Sequence, residues 1–478
     1  MAILITSPGL VTTGTEGADD IRFAASVTGD GSVVNALAGN DTIVVSATLS
    51  TAASGAGPII NAGAGADVVT FGAPTYSAGN TVINGGAGAD TITVSGNYGN
   101  IGGGADADRI VVLSSTISGI GAGGGNDVIT FSGSTSNATI ASGSILALGA
   151  GADVLSSTTA TFNKASTLFG GGGSDTITLS AFSVSGSVIN GDSTSNGGAA
   201  DVITVTSGGH ALTIRGKGGA DTISVAHVGQ SGVVAGNAGG DNFAIGDVLA
   251  SASILGGQGA DSITISGAIA DTTAFDVVGG GGKDTIVIAT AGSYDLMSVN
   301  GGAGVDSITF SAISDAADLG VVQVSNVSDS KLGAVDVYDV TGHVATAIAS
   351  AATFDISFAS AAGFATTATV TVASAIADTT SGKLATGGFG SGAIANGVFT
   401  FSGQASATLA SAATLADGAT RAANTNAGAI VTFVNNGDDY LFVQGGAVGT
   451  DDDFLMQING ASGSTIAGST ITIKSDNI

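Results

Sequence analysis

The chain of 478 residues carries 80 glycines, three prolines, no cysteine and a formal net charge of −27. Ten lysines and arginines leave no basic patch for nucleic-acid phosphate, and the missing cysteines exclude disulfides and thiolate metal sites. The glycine share fits neither collagen, which needs a glycine at every third position, nor disorder, because 44% of the residues are apolar. Of the 37 acidic residues only Glu16 is a glutamate. Aspartate alone points to turns, where a short carboxylate bonds nearby backbone or holds a hard cation.

The N-terminus, Met1-Ala-Ile-Leu-Ile-Thr6, has neither the basic segment nor the long apolar run of a Sec signal peptide. Export, if it occurs, is expected by another route. No run reaches the roughly 18 apolar residues of a membrane-spanning helix, and membrane insertion is not expected.

From there to about residue 310 one unit repeats. A glycine-rich turn ends in aspartate at Asp19, Asp41, Asp67, Asp90, Asp108, Asp127, Asp153, Asp175, Asp201, Asp221, Asp241, Asp261, Asp284 and Asp306, about 22 residues apart on average. Two residues after each stands an apolar residue: Ile21, Ile43, Val69, Ile92, Ile110, Ile129, Leu155, Ile177, Ile203, Ile223, Phe243, Ile263, Ile286 and Ile308. Several copies continue in alternation, as in Asp175-Thr-Ile-Thr-Leu-Ser180, the pattern of a strand with one buried face. A second apolar run, such as Val82-Ile-Asn-Gly85 or Val188-Ile-Asn-Gly191, precedes the next turn. Each repeat therefore predicts strand, turn, strand, turn: an all-β chain whose residues 1–310 form a parallel β-roll or β-solenoid with about two strands per coil. The far side of each coil carries the length variation, for example Ala47 to Pro58, and variable loops on a regular scaffold suit binding.

Stacked turns would place carboxylates about 5 Å apart along one edge. Their repulsion, about 3 kcal/mol per pair at an effective dielectric of 20, would be reversed by interleaved divalent cations. The alternative is a row of solvated Asx-turns. Five turns, those ending at Asp90, Asp175, Asp261, Asp284 and Asp306, read Gly-Gly-x-Gly-x-Asp in full. With Gly85-Gly-Ala-Gly-Ala-Asp-Thr-Ile-Thr93 and Gly256-Gly-Gln-Gly-Ala-Asp-Ser-Ile-Thr264, the chain resembles the RTX, or haemolysin-type, calcium-binding repeat proteins. The resemblance implies multiple Ca²⁺ ions between successive turns, held by the fourteen aspartates and by turn carbonyls. That family usually carries the motif on both edges of the coil. Here it occurs once per coil, so a one-sided ion ladder is expected.

Residues 311–405 read as a β-rich domain of the sandwich kind, with alternating runs such as Val321–Val324, Thr369–Val372 and Val398–Phe401. Residues 406–478 read as a terminal module. Ala407 to Ala416 is the best helix candidate, and Ile430 to Val443 forms a hairpin through Asn435-Asn-Gly-Asp438. This ending is similar to that of S-layer-like proteins exported by type I secretion, and it also suits a simple cap on the open solenoid edge.

His210, His227 and His343 stand in no motif, and the single glutamate rules out a His-Glu-x-x-His zinc site. No enzyme is expected, and a solenoid hydrolase is the remote exception. Arg215 and Lys217 would neutralise the aspartate column locally. The expected function is a calcium-stabilised structural protein at an extracellular surface, self-assembling as an S-layer or cell coat, with further copies of itself or cell-surface polysaccharide as partners. A bacteriophage virion appendage and an adhesin or carbohydrate-binding module are the alternatives.

Overall fold

The computed structural model of the protein describes residues 1–310 apart from segments between strands, and of residues 311–478 essentially the strands. It divides into two units, Met1–Ala238 and Gly239–Ile478. All regular structure among the described residues is β, without a helix.

In the first unit every ladder aspartate is followed by a strand whose alternate residues turn inward. Thr42–Val45, Val68–Phe71, Val128–Phe131 and Thr176–Leu179 each bury their second and fourth positions. These strands pair in parallel from coil to coil in one register, so that Ile21, Ile43, Val69, Ile92, Ile110, Ile129, Leu155, Ile177, Ile203 and Ile223 lie opposite one another in sequence. All ten are fully buried. A one-residue slip would expose the whole column, which is why the register is so strongly specified. The second strand of each coil forms its own parallel stack, with Val34, Ile60, Ile83, Ile101, Ile120, Leu146, Leu168, Ile189, Ile214 and Val234 in line. These too are buried, and full burial of one such side chain stabilises by about 1.5–3 kcal/mol. Each coil thus contributes two strands to a parallel β-solenoid. In the coils Thr91–Ala105 and Arg109–Gly124 one strand runs unbroken through both positions.

The second unit repeats the plan, with Phe243, Ile263, Ile286 and Ile308 in one column and Ile254, Val277 and Val299 in another. Beyond Phe310 the pairing changes character. Ser307–Phe310 pairs in parallel with Val335–Asp339, which is antiparallel to Thr353–Phe358, itself antiparallel to Ala368–Thr371. Met297–Ala303 pairs with Val321–Ser325, which is parallel to Phe454–Ile458; that strand is antiparallel to Asp438–Val443. Asp438–Val443 in turn is antiparallel to Ile430–Asn435, with Asn435 opposite Asp438. The helix expected over 407–416 lies outside the described residues, as do many of the variable loops.

A buried aspartate column as candidate cation site

Aspartate and the apolar residue two positions later share one parity of the strand, so both point inward. All fourteen ladder aspartates are at most 3% exposed. The acid row expected along one edge of the coil is a buried column rather than a row of solvated side chains.

The column is held by the backbone. In the first unit the amide N–H of Asp19 donates to Oδ1 of Asp41, Asp41 to Asp67, Asp67 to Asp90, and so on through Asp108, Asp127, Asp153, Asp175 and Asp201 to Asp221, at 2.7–2.9 Å. In the second unit the same bonds join Asp241, Asp261, Asp284 and Asp306 at 2.7–2.8 Å. The carbonyls of twelve of the fourteen, all but Asp221 and Asp306, are shown accepting the N–H that opens the following coil's strand, as Asp41 does from Val68 and Asp153 from Thr176, both at 2.8 Å. At the corner where the parallel ladder would leave an N–H bare, one carboxylate oxygen stands in for a peptide carbonyl. A buried N–H requires such a partner.

The other oxygen is a different matter. Oδ2 of Asp41, Asp67, Asp90, Asp108, Asp127, Asp153, Asp175, Asp201, Asp261 and Asp284 is buried and has no hydrogen-bond partner. Burial pushes these carboxyls above the usual carboxylate value, to about 6 at Asp90 and Asp127 and about 7 at Asp108, Asp175, Asp201 and Asp284. The amide bond to Oδ1 opposes that rise, while neighbouring aspartates of the column add to it at Asp108, Asp175 and Asp284. Asp19 differs. Its Oδ1 meets the Met1 amino group at 2.7 Å and its Oδ2 accepts the Thr15 N–H. The amino group, then Thr15, holds its carboxyl below the usual value. Both of its oxygens are satisfied.

The glycines keep the column tight. A Cβ on Gly104, which has φ +126°, would lie 1.9 Å from the carbonyl oxygen of Gly86 in the preceding coil, and one on Gly86 would lie equally close to Gly63. The close approach of successive turns is thus sufficient reason for the first glycine of the Gly-x-Gly-x-Asp pattern. Leu37, Lys217 and Asn237 take the same backbone position with positive φ of 81–88°.

Sequence reasoning missed one acid. Asp192 stands in register with Gly171 of the preceding coil, is 2% exposed, and is bonded by the backbone N–H groups of Ala199 and Gly218. Its Oδ2 is also without a partner, and burial raises its pKa. The only signal was an aspartate where the repeat has glycine. Arg215 and Lys217 do not form ion pairs with the column: the described ion pairs are Met1 with Asp19 and Arg22 with Asp20. His227 is exposed, and His210 and His343 lie outside the described residues.

The donor set suits a hard cation, which takes carboxylate and carbonyl oxygens. Among the described residues no three His, Cys, Asp or Glu side chains gather into one metal cluster, so each rung would offer one carboxylate oxygen together with backbone carbonyls. The fold and this column define a parallel β-solenoid with stacked aspartate turns. No protein-family model, no curated protein and no solved structure matches the chain.

Proposed function

We propose that the chain is a calcium-stabilised structural protein of the RTX kind, working at an extracellular surface as a self-assembling S-layer or cell-coat component. The observation that carries the calcium reading is the line of buried carboxylate oxygens without hydrogen-bond partners. An anion in that position is costly unless a positive charge accompanies it. The repeat Gly-Gly-x-Gly-x-Asp supports the assignment to calcium, and the similarity of the terminal hairpin module to exported coat proteins supports the location and the assembly.

Bound calcium would supply the charge that the column lacks and link neighbouring coils. The protein's own residues do the rest: amide groups orient each carboxylate through Oδ1, and the isoleucine columns exclude water. Binding to the folded state alone is folding free energy. A rung with free calcium at a hundredfold excess over its dissociation constant would add about 2.7 kcal/mol.

The test has two arms. Circular dichroism melts of the full chain in millimolar calcium and in excess chelator should give a higher, chelator-reversible Tm with calcium. Electron microscopy of the calcium-loaded protein should show ordered arrays that chelator disperses. Equal melting temperatures would sink the calcium reading, and monodisperse protein with raised Tm would sink the coat reading alone. In the latter case, monomer binding to glycans would indicate an adhesin, and sedimentation with virions a phage appendage.

A further inference from the structure

Between the buried positions of the strands that follow the ladder aspartates stand residues that point outward, and in the first unit these form a face of one composition. In each coil the outward pair is the residue after the aspartate and the one two positions on, such as Val68 and Thr70, Thr91 and Thr93, or Thr176 and Thr178. Over nine coils, from Thr42 to Ser224, that pair is drawn from Thr, Val and Ser alone, with Arg109 as the exception. The shared register sets the pairs in two straight files. No acid stands in them: the next acid along, Asp20, lies one coil further out and pairs with Arg22 at 2.8 Å. Val68, Val128, Val154 and Val202 all belong to one file and are 37–42% exposed.

β-propensity accounts for Thr and Val in a strand. It sets no bar against Lys, Arg or Glu, which ordinary solvated surfaces carry in quantity. The outer face of the second strand stack is of another kind. Its register brings Asn84, Gly102, Gly121, Ala147 and Phe169 into one file, so its relief runs from no side chain at all to an aromatic ring.

Two features fit the first face to another sheet. Thr and Val are short and stiff at χ1, so the surface is even and loses little side-chain entropy when covered. The chain also carries a formal net charge of −27, so copies repel wherever acids face each other, and on this face there are none. Its one charge, Arg109, has the sign opposite to the excess. Nine strands about 4.8 Å apart, each about four residues of 3.3 Å, present roughly 560 Å² per copy. A face-to-face pair would bury roughly 1,100 Å² in total, enough to clear the threshold of about 1,000 Å² for a specific interface.

Resting on the self-assembly reading, we propose that this Thr/Val face of the first unit is a contact between copies of the chain. The two sheets pack face to face about 10 Å apart, in the manner of a β-sandwich. An acidic chain meets itself at least cost where its own charge is absent, and this strip is such a place. What opposes the contact is long-range repulsion, and no ion pairs hold it together, so added salt strengthens it.

The test is sedimentation velocity of the full chain in calcium over a range of protein concentrations. Wild type should pass from monomer to dimer or larger species, more readily at high than at low sodium chloride. Val128→Lys and Thr178→Lys, each at an outward position of the face, should weaken that association at least about tenfold, because the contact would desolvate an ammonium. Thr167→Lys, on the outer face of the second stack, should leave it unchanged. Circular dichroism melts of the three variants check that the fold persists. Association of Val128→Lys and Thr178→Lys equal to that of wild type would overturn the assignment of this face and leave the coat reading standing. Wild type that stays monomeric throughout would overturn both, and retention of that monomer on polysaccharide, lost in the two variants, would give the face to a glycan instead. Dimers that form through this face and never grow into arrays would uphold the contact and sink the coat reading alone.

Discussion

A carboxylate at a ladder position has two separable duties, and its two oxygens divide them. Oδ1 of Asp127 satisfies the buried amide of Asp108 at 2.7 Å, while its Oδ2 has no hydrogen-bond partner. Removing the acceptor leaves a buried N–H bare, which costs about 1–3 kcal/mol. Asp127→Ala should therefore lower the unfolding free energy measured in urea by that order, whereas Asp127→Asn, which keeps an acceptor, should be neutral or stabilising. Equal losses from both would contradict the acceptor role. The glycines make a sharper pair. Gly104→Ala drives a methyl to within 1.9 Å of the Gly86 carbonyl at a positive φ, whereas a Cβ on Gly121 meets nothing within 4 Å. Urea unfolding should show a loss above about 2 kcal/mol for the first and within about 0.5 kcal/mol of wild type for the second.

At the scale of the element, the period and the strands could be read from the chain because the physics is local. An apolar residue two after each aspartate fixes a strand face, and copies 22 or so residues apart must stack to bury it. The orientation of the aspartates was legible too. Asp90, Ile92 and Val94 are spaced by two and must share one face, so a carboxylate in line with two core residues is inward by parity. What could not be read was the acceptor role of Oδ1, since the partner amide is 18 to 26 residues away. The glycines at Gly86 and Gly104 are required by packing whether or not a metal is bound, because a Cβ on either would lie 1.9 Å from a carbonyl oxygen of the preceding coil. Asp192 escaped notice because its place in the turn is fixed by register with Gly171 rather than by the motif.

The elevated carboxyls also set the pH response of the column. Their folded pKa values, about 6 to 7, lie above the ordinary 3.8. Groups raised in this way stabilise the fold fully below the unfolded value and lose that contribution as pH rises through the folded one. The metal-free protein should accordingly melt at falling temperatures as pH is raised from about 4 to about 8, the reverse of ordinary acid denaturation. A Tm that climbs over that range in chelator would mean that the column is not held in this buried form.

For the molecule as a whole, most of the described chain is scaffold. In the first unit two parallel stacks enclose a core of branched side chains, and one flank of that core is acidic. In the second unit the parallel stacks pass into antiparallel strands, from Val335–Asp339 onward on one side and from Phe454–Ile458 on the other. The open edge of a solenoid needs such an ending, because an unpaired strand invites pairing with another chain. The coat reading therefore makes assembly a property of calcium-loaded protein, while the calcium reading depends on the column alone.

The most direct test is to look for the ions. Crystals of the full chain grown in calcium and measured at long wavelength should give anomalous difference peaks within about 2.3–2.6 Å of Oδ2 at Asp90, Asp108 and Asp175. A well-ordered map at those rungs with no anomalous signal would contradict the account.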